Sequence, residues 1–125
     1  MVVGVGACAT LLVNVAGQGR GRMYGLIGRI KATAGKRDEL ATILTDDVGP
    51  MPGCLSYIVA NDPKDPDALW VTEVWESEEL HKASLSIPAV KDAIKKGRPL
   101  IASFDNHHVT EPIGGHGLNK RATAE

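Results

Sequence analysis

The chain is short of most features that announce a function. It has no long apolar run, two cysteines, few aromatic residues and no excess of either charge. The longest apolar stretch, Val2 to Gly17, is interrupted by Gly4, Gly6 and Asn14. A membrane span needs about 20 consecutive apolar residues, so none is expected here. A secretory signal carries its basic residues before the apolar run, whereas Arg20 and Arg22 follow it. Val5-Gly6-Ala7-Cys8 has the outline of a lipoprotein cleavage box, but no apolar stretch precedes it. Cys8 and Cys54 make neither a disulfide framework nor a metal-ligand pair, and a reducing cytoplasmic compartment is expected. Cys54 reads as a small buried hydrophobe rather than a reactive thiol. A formal net charge of −1 leaves no basic field to hold phosphate backbones, which excludes a general nucleic-acid binder. There is no Walker loop, no dinucleotide fingerprint and no cluster of metal ligands, so no metal or cofactor is expected.

What is present is an ordinary globular composition, 43% hydrophobic and 23% charged, over 125 residues. That length suits one domain with one core. Residues 1–22 end in the glycine-rich GQGRGR and read as an N-terminal extension outside the domain core, with Met23 opening the domain. The alternative is an added strand or arm that packs on a partner subunit. Residues 23–110 carry the patterned sequence, and 111–125 form a glycine-rich, then polar, C-terminal tail.

Alternation in YGLIGRIKAT (24–33) predicts a strand with Leu26, Gly28, Ile30 and Ala32 on one face. Gly25 and Gly28 within it mark close approach of another group. Apolar residues at Leu40, Ile43, Leu44 and Val48 predict a helix over 36–48, stopped by GPMPG (49–53). CLSYIVAN (54–61) is a second strand, DPKDPD (62–67) a hairpin loop, and ALWVTEVWE (68–76) a third strand with two largely apolar faces. Ser77 caps a helix that is interrupted at Ser86-Ile87-Pro88, where Pro88 restarts it. FDNHHVT (104–110) is a fourth strand, in which strict alternation puts Phe104, Asn106 and His108 on one face and His107 on the other.

The order β-α-β-β-α-β predicts an α+β, ferredoxin-like fold: a four-stranded antiparallel sheet with its helices on one face. One helical layer leaves the other sheet face bare. A second copy related by a two-fold axis is the simplest cover, so a homodimer is expected.

The segments PGCLSYIVAND, LWVTEVWESEELHKASLSIPAVKDAI and RPLIASF, together with this order, resemble the antibiotic biosynthesis monooxygenase family. The most telling parts are the Pro-Gly-Cys turn, Glu73-x-Trp75-x-Ser77 and Glu79-x-His81-x-x-Ser84. The resemblance implies a dimeric α+β barrel with a pocket between sheet and helices in each subunit. It also implies oxidation of a quinol-like or polycyclic phenolic small molecule by dioxygen without metal or flavin. The protein then supplies an apolar cage, orientation and a few polar groups. Relatives on this fold include haem degraders, isomerases and proteins with no known reaction. A non-catalytic small-molecule-binding or protective dimer is therefore the second reading and an isomerase the third. The three positions that serve haem degraders align with Gly28, Ser84 and Ile94, and an isoleucine cannot ligate iron.

His81 is the first candidate catalytic group, with Ser84 one helical turn away and His108 as the fallback. Candidate substrate-binding residues are Asn61, Tyr57, Trp70, Trp75, Arg98 and His116, the last in a Gly-Gly-His-Gly loop. Glu73, a charge within an apolar strand, must be paired or lie at a cavity, and Arg29 is its expected partner.

Overall fold

The described residues, 22–119 of this computed structural model, alternate strands and helices in the predicted order. Apart from Arg22, the N-terminal extension lies outside the described residues, as does the tail beyond Asn119. The elements are β1 (Tyr24–Ala32), α1 (Arg37–Asp46), β2 (Cys54–Asn61), β3 (Ala68–Trp75), α2 (Glu78–Ser84), α3 (Pro88–Gly97) and β4 (Ile101–Thr110). A 3-10 turn, Arg98–Leu100, joins α3 to β4. β4 begins three residues earlier than the alternation suggested, because Ile101 pairs with Ala32 at the end of β1.

The sheet is antiparallel in the order β2-β3-β1-β4, the ferredoxin-like arrangement. Alternation sends Leu26, Ile30 and Ala32 of β1, and Leu69, Val71 and Trp75 of β3, under the helices. Leu40 of α1 is fully buried against them. Burying one such leucine contributes about 1.5–3 kcal/mol. Ile43 and Val48 meet Val90 and Ala93 of α3 in a second apolar cluster between the helices. The Ser77 side chain caps α2 by accepting the Leu80 N–H, and Pro88 opens α3.

The helices stand over β1, β2 and β3. β4, an edge strand, is exposed along nearly its whole length, with Phe104 and Val109 among the large exposed hydrophobic side chains. The outer sheet face carries Ile27, Ile58, Trp70, Thr72 and Val74. Residues 111–119 return across the sheet end: Pro112 lies over Gly25, and the Asn119 N–H donates to the Leu55 carbonyl at 2.9 Å. An Arg22–Glu111 ion pair ties the start of that segment.

Arg29 does not pair with Glu73. The two sit on opposite sheet faces, because β1 residue 29 and β3 residue 73 differ in parity about the Leu26–Glu73 and Arg29–Trp70 pairs. Arg29 instead donates to Asp62 at 2.9 Å, Asp65 at 3.0 Å and Asp105 at 3.0 Å. The Trp70 indole N–H also donates to Asp62 at 3.1 Å. This network binds the β2–β3 loop to the outer face. The Arg29 guanidinium and the Lys64 N–H hold Asp62 below its ordinary range. The Lys31 ammonium does the same to Asp65, down to about 2, with help from the Asp67 N–H and Arg29.

Gly53 turns the chain into β2 with φ of +87°, a region that L side chains rarely adopt. A Cβ there would also lie 2.7 Å from Leu80 Cδ1 and 2.9 Å from Leu80 Cβ. Gly53→Ala is therefore expected to lower the unfolding free energy by about 1–3 kcal/mol in urea titrations. An unchanged midpoint and slope would contradict this account of the turn.

Candidate functional site

A cavity of about 300 Å³ opens where the helices fail to reach β4. Leu26, Ile30, Val71, Leu44 and Phe104 make its apolar walls. Its polar groups are few: Tyr24, Tyr57, Glu73, His81 and His107. Pockets of this size with a few convergent polar groups are the usual form of small-molecule sites.

His81 comes from α2, whose first turns pack on β3. The imidazole stands between two aromatic rings, 5.5 Å from Tyr24 and 5.4 Å edge-on from Trp75. Trp75 is 1% exposed, and its indole N–H donates to Glu73 Oε1 at 2.8 Å. Glu73 thus sits at the cavity for a structural reason. Its negative charge acts on three neighbours. Burial first, then Glu73, pushes the Tyr57 phenol up to about 12. Burial, Glu78 and Glu73 raise Tyr24. Burial first, and then Glu73, raise the Cys54 thiol against the opposing effect of the Ser56 backbone. Cys54 is thereby kept as a thiol, the poorer nucleophile. Among the described residues no hydrogen-bond partner meets the imidazole nitrogens of His81 or His107, or the Tyr57 hydroxyl. These three groups are free to meet a ligand.

The fourth strand departs from simple alternation. Ile27 pairs with His108 and Arg29 with Asp105, so Asn106 and His107 together oppose Gly28. Asn106 takes φ of +49°, which the short amide side chain tolerates. This bulge turns His107 onto the pocket face beside Phe104, and sends His108 to the outer face with Ile27. The face assignment made by alternation is corrected accordingly. A Cβ on Gly28 would meet His107 Cδ2 at 3.5 Å, an ordinary van der Waals contact, so the imidazole packs directly over this position.

The other candidate residues scatter. Ser84 is 3% exposed and donates its hydroxyl to the His81 carbonyl at 2.6 Å, a bond within its own helix rather than a site contact. Trp75 backs His81 from below the cavity wall. Tyr57 lines the cavity. Trp70 belongs to the Arg29–Asp62 network on the opposite face. Asn61 is exposed at the far end of β2, and His116 is exposed in the returning segment. Arg98 lies at the end of α3, on a second cavity. Sequence reasoning overlooked Tyr24 and took Glu73 for an ion-pair partner. The signal for Glu73 was its place on an apolar face; Tyr24 carried none. Among the described residues no group of three or more His, Cys, Asp or Glu side chains is arranged to hold a metal. No helix among them is long and apolar enough to cross a membrane.

A ferredoxin-like sheet with an apolar pocket under its helices defines a broad class of small α+β proteins. Within it, the family model for antibiotic biosynthesis monooxygenase matches residues 23–96, and the chain belongs to that family. It is 65% identical to a protein of that type from Chloroflexus aurantiacus, over 78% of this chain and 99% of that one, with a TM-score of 0.76. The fold is shared at 12% identity with a variant of SnoaB, a cofactor-independent oxygenase from Streptomyces nogalater (75% and 96% covered, TM-score 0.62). It is shared at 14% with a protein of the same family type from Nitrosomonas europaea (77% and 93% covered, TM-score 0.61). A comparison with curated proteins gave no match. Monooxygenase-type chemistry is thus supported at the level of the family.

The raised Tyr57 phenol has a measurable consequence. Titration followed by tyrosinate absorbance is expected to show one group ionising near 12, absent in Tyr57→Phe. The linked stability runs in a definite direction. Above the ordinary tyrosine value of 10.0 the unfolded chain loses this proton while the folded one keeps it. Stability contributed by the neutral phenol therefore falls as pH rises from about 10 towards 12.

Proposed function

We propose that this chain is a monooxygenase that needs no bound cofactor and oxidises a quinol-like or polycyclic phenolic substrate with dioxygen. The observation that carries the reading is His81: an imidazole with no protein hydrogen-bond partner, held between two aromatic rings at an apolar cavity. A flat phenolic ring suits walls of this kind, and an imidazole without a protein partner is a group that can take its proton. The cofactor-independent oxygenase SnoaB shares the fold, which agrees with the proposal.

The chemistry balances without an outside reductant. His81 takes a proton, leaving a delocalised anion. The anion passes an electron to dioxygen, and the ring radical and superoxide join to form a carbon–oxygen bond. The imidazolium returns its proton to the peroxide. Loss of the remaining hydrogen from the same carbon breaks the O–O bond, giving a carbonyl and water. The substrate carbon supplies every electron. Tyr57, neutral at working pH, is suited to donate to the developing oxyanion. His107, which also lines the cavity, is proposed as a second proton carrier.

His81→Ala is expected to lower turnover in oxygen-uptake assays with a panel of hydroquinones by roughly 100-fold to 10,000-fold. Binding should weaken less, because the interaction strengthens as charge develops. Ligand binding with no oxygen uptake by the unmodified protein would point instead to the small-molecule-binding reading.

The working unit is proposed to be a homodimer closed on the outer sheet face. Support comes from Ile58, 56% exposed there, and from the apolar neighbours Ile27 and Val74. Light scattering should report twice the 13.2 kDa chain mass, and a monomer at micromolar concentration would end this part of the proposal.

A further inference from the structure

We infer that the outward face of α3 is a docking surface for an acidic amphipathic helix of another protein. This inference is independent of the functional reading above.

α3 buries Val90, Ala93 and Gly97 and turns Lys91, Ile94 and Lys95 outward. Arg98 follows at its end. Positions 91, 94, 95 and 98 stand at i, i+3, i+4 and i+7, so they form one stripe along the helix surface, about 10 Å long. The stripe borders a shallow groove of about 760 Å³, with Leu85 and Pro99 as its remaining lining. Leu85 is 46% and Ile94 40% exposed, so the groove combines an apolar floor with three cations.

Neighbouring helix cations are neutralised within the chain. Lys96 meets Asp92 at 3.4 Å and Asp47 at 3.6 Å, and Lys82 meets Glu78 at 3.7 Å. Lys91, Lys95 and Arg98 have no ion-pair partner among the described residues. Asp92, close to Lys91 and Lys95, is engaged by Lys96. With a formal net charge of −1 on the whole chain, this positive stripe is a local feature that selects a negative partner.

Shape narrows the class of partner. A groove is filled by side chains that project into it, whereas a bilayer surface takes apolar groups that protrude from the protein. No aromatic side chain lines the groove to stack a nucleic-acid base. A helix that carries leucines on one face, flanked by carboxylates, meets both requirements: its leucines reach Leu85 and Ile94, and its carboxylates reach the three cations. The groove lies on the helical side of the sheet, opposite the outer face assigned to the homodimer, so both surfaces can be occupied together.

The test uses the full chain and fluorescently labelled helical peptides, read by anisotropy. The first peptide has leucines on one face flanked by glutamates. The second has Gln for every Glu, and the third has Lys for every Glu. The fourth keeps the acidic composition but scatters the leucines off the common face. The first is expected to bind about tenfold more tightly than the second or the fourth. Lys91→Glu with Lys95→Glu is expected to abolish that preference and to favour the lysine peptide instead, a gain that a misfolded variant would not show. Ile94→Ser is expected to weaken the first and second peptides alike, by about tenfold. Equal binding of the first and second peptides, equal binding of the first and fourth, or a preference that survives the double charge reversal overturns the inference. So does sedimentation with phosphatidylglycerol vesicles by a protein that binds none of the peptides at about 1 mM, which assigns the face to a membrane surface instead.

Discussion

A buried indole N–H must find an acceptor, and at Trp75 this requirement organises the site. The ring is the largest fully buried side chain of the domain, and leaving its N–H unpaired would cost about 1–3 kcal/mol. Glu73, two residues earlier on the same face, meets it at 2.8 Å. That bond brings a carboxylate to the edge of an apolar cavity. The carboxylate in turn helps to keep Tyr57, Tyr24 and Cys54 neutral. The same indole meets His81 edge-on, and Tyr24, paired with Trp75 across β1 and β3, also lies against the imidazole. One packing constraint thus sets the position of the candidate base, the charge near it and the protonation of its neighbours.

The cavity itself follows from coverage. One layer of short helices does not shield all four strands, and β4 is the strand left out. What a tightly packed domain would bury, such as Phe104, is instead a wall shared by two adjoining spaces. The bulge at Asn106 adds the polar element. By placing two residues opposite Gly28, it turns His107 inward without disturbing the pairing of Leu26 with Val109 beyond.

The outer face answers a different need. Arg29 gathers Asp62 and Asp65 from a loop and Asp105 from β4, and Lys31 and Trp70 join the same set. Opposite charges at this density hold the Asp62–Asp67 loop against the sheet and leave the apolar part of that face, around Ile58 and Val74, clear of it. The segment beyond Thr110 then crosses the sheet end and bonds to the Leu55 carbonyl. Its His116 stays on the surface, away from the cavity.

Read alone, the sequence determined the elements and their order, because alternation, helical spacing, Ser77, Pro88 and the Gly-Pro turn are local signals that each element must satisfy by itself. It also put His81 forward as a candidate base, but helical spacing alone leaves open whether that residue faces the sheet or solvent. It marked Glu73 as anomalous without naming its partner, because an ion pair and an indole bond leave the same trace in a pattern. Tertiary structure alone decided the rest. Alternation counts residues, and a single bulge reverses the count, so His107 rather than His108 reached the pocket. Ser84 looked like a neighbour of His81 on a helix face and proved to bond that residue's backbone. Where cavities open beside Phe104 depends on how far the helices extend over β4. That is a matter of distances between elements far apart in the chain, on which no local pattern bears.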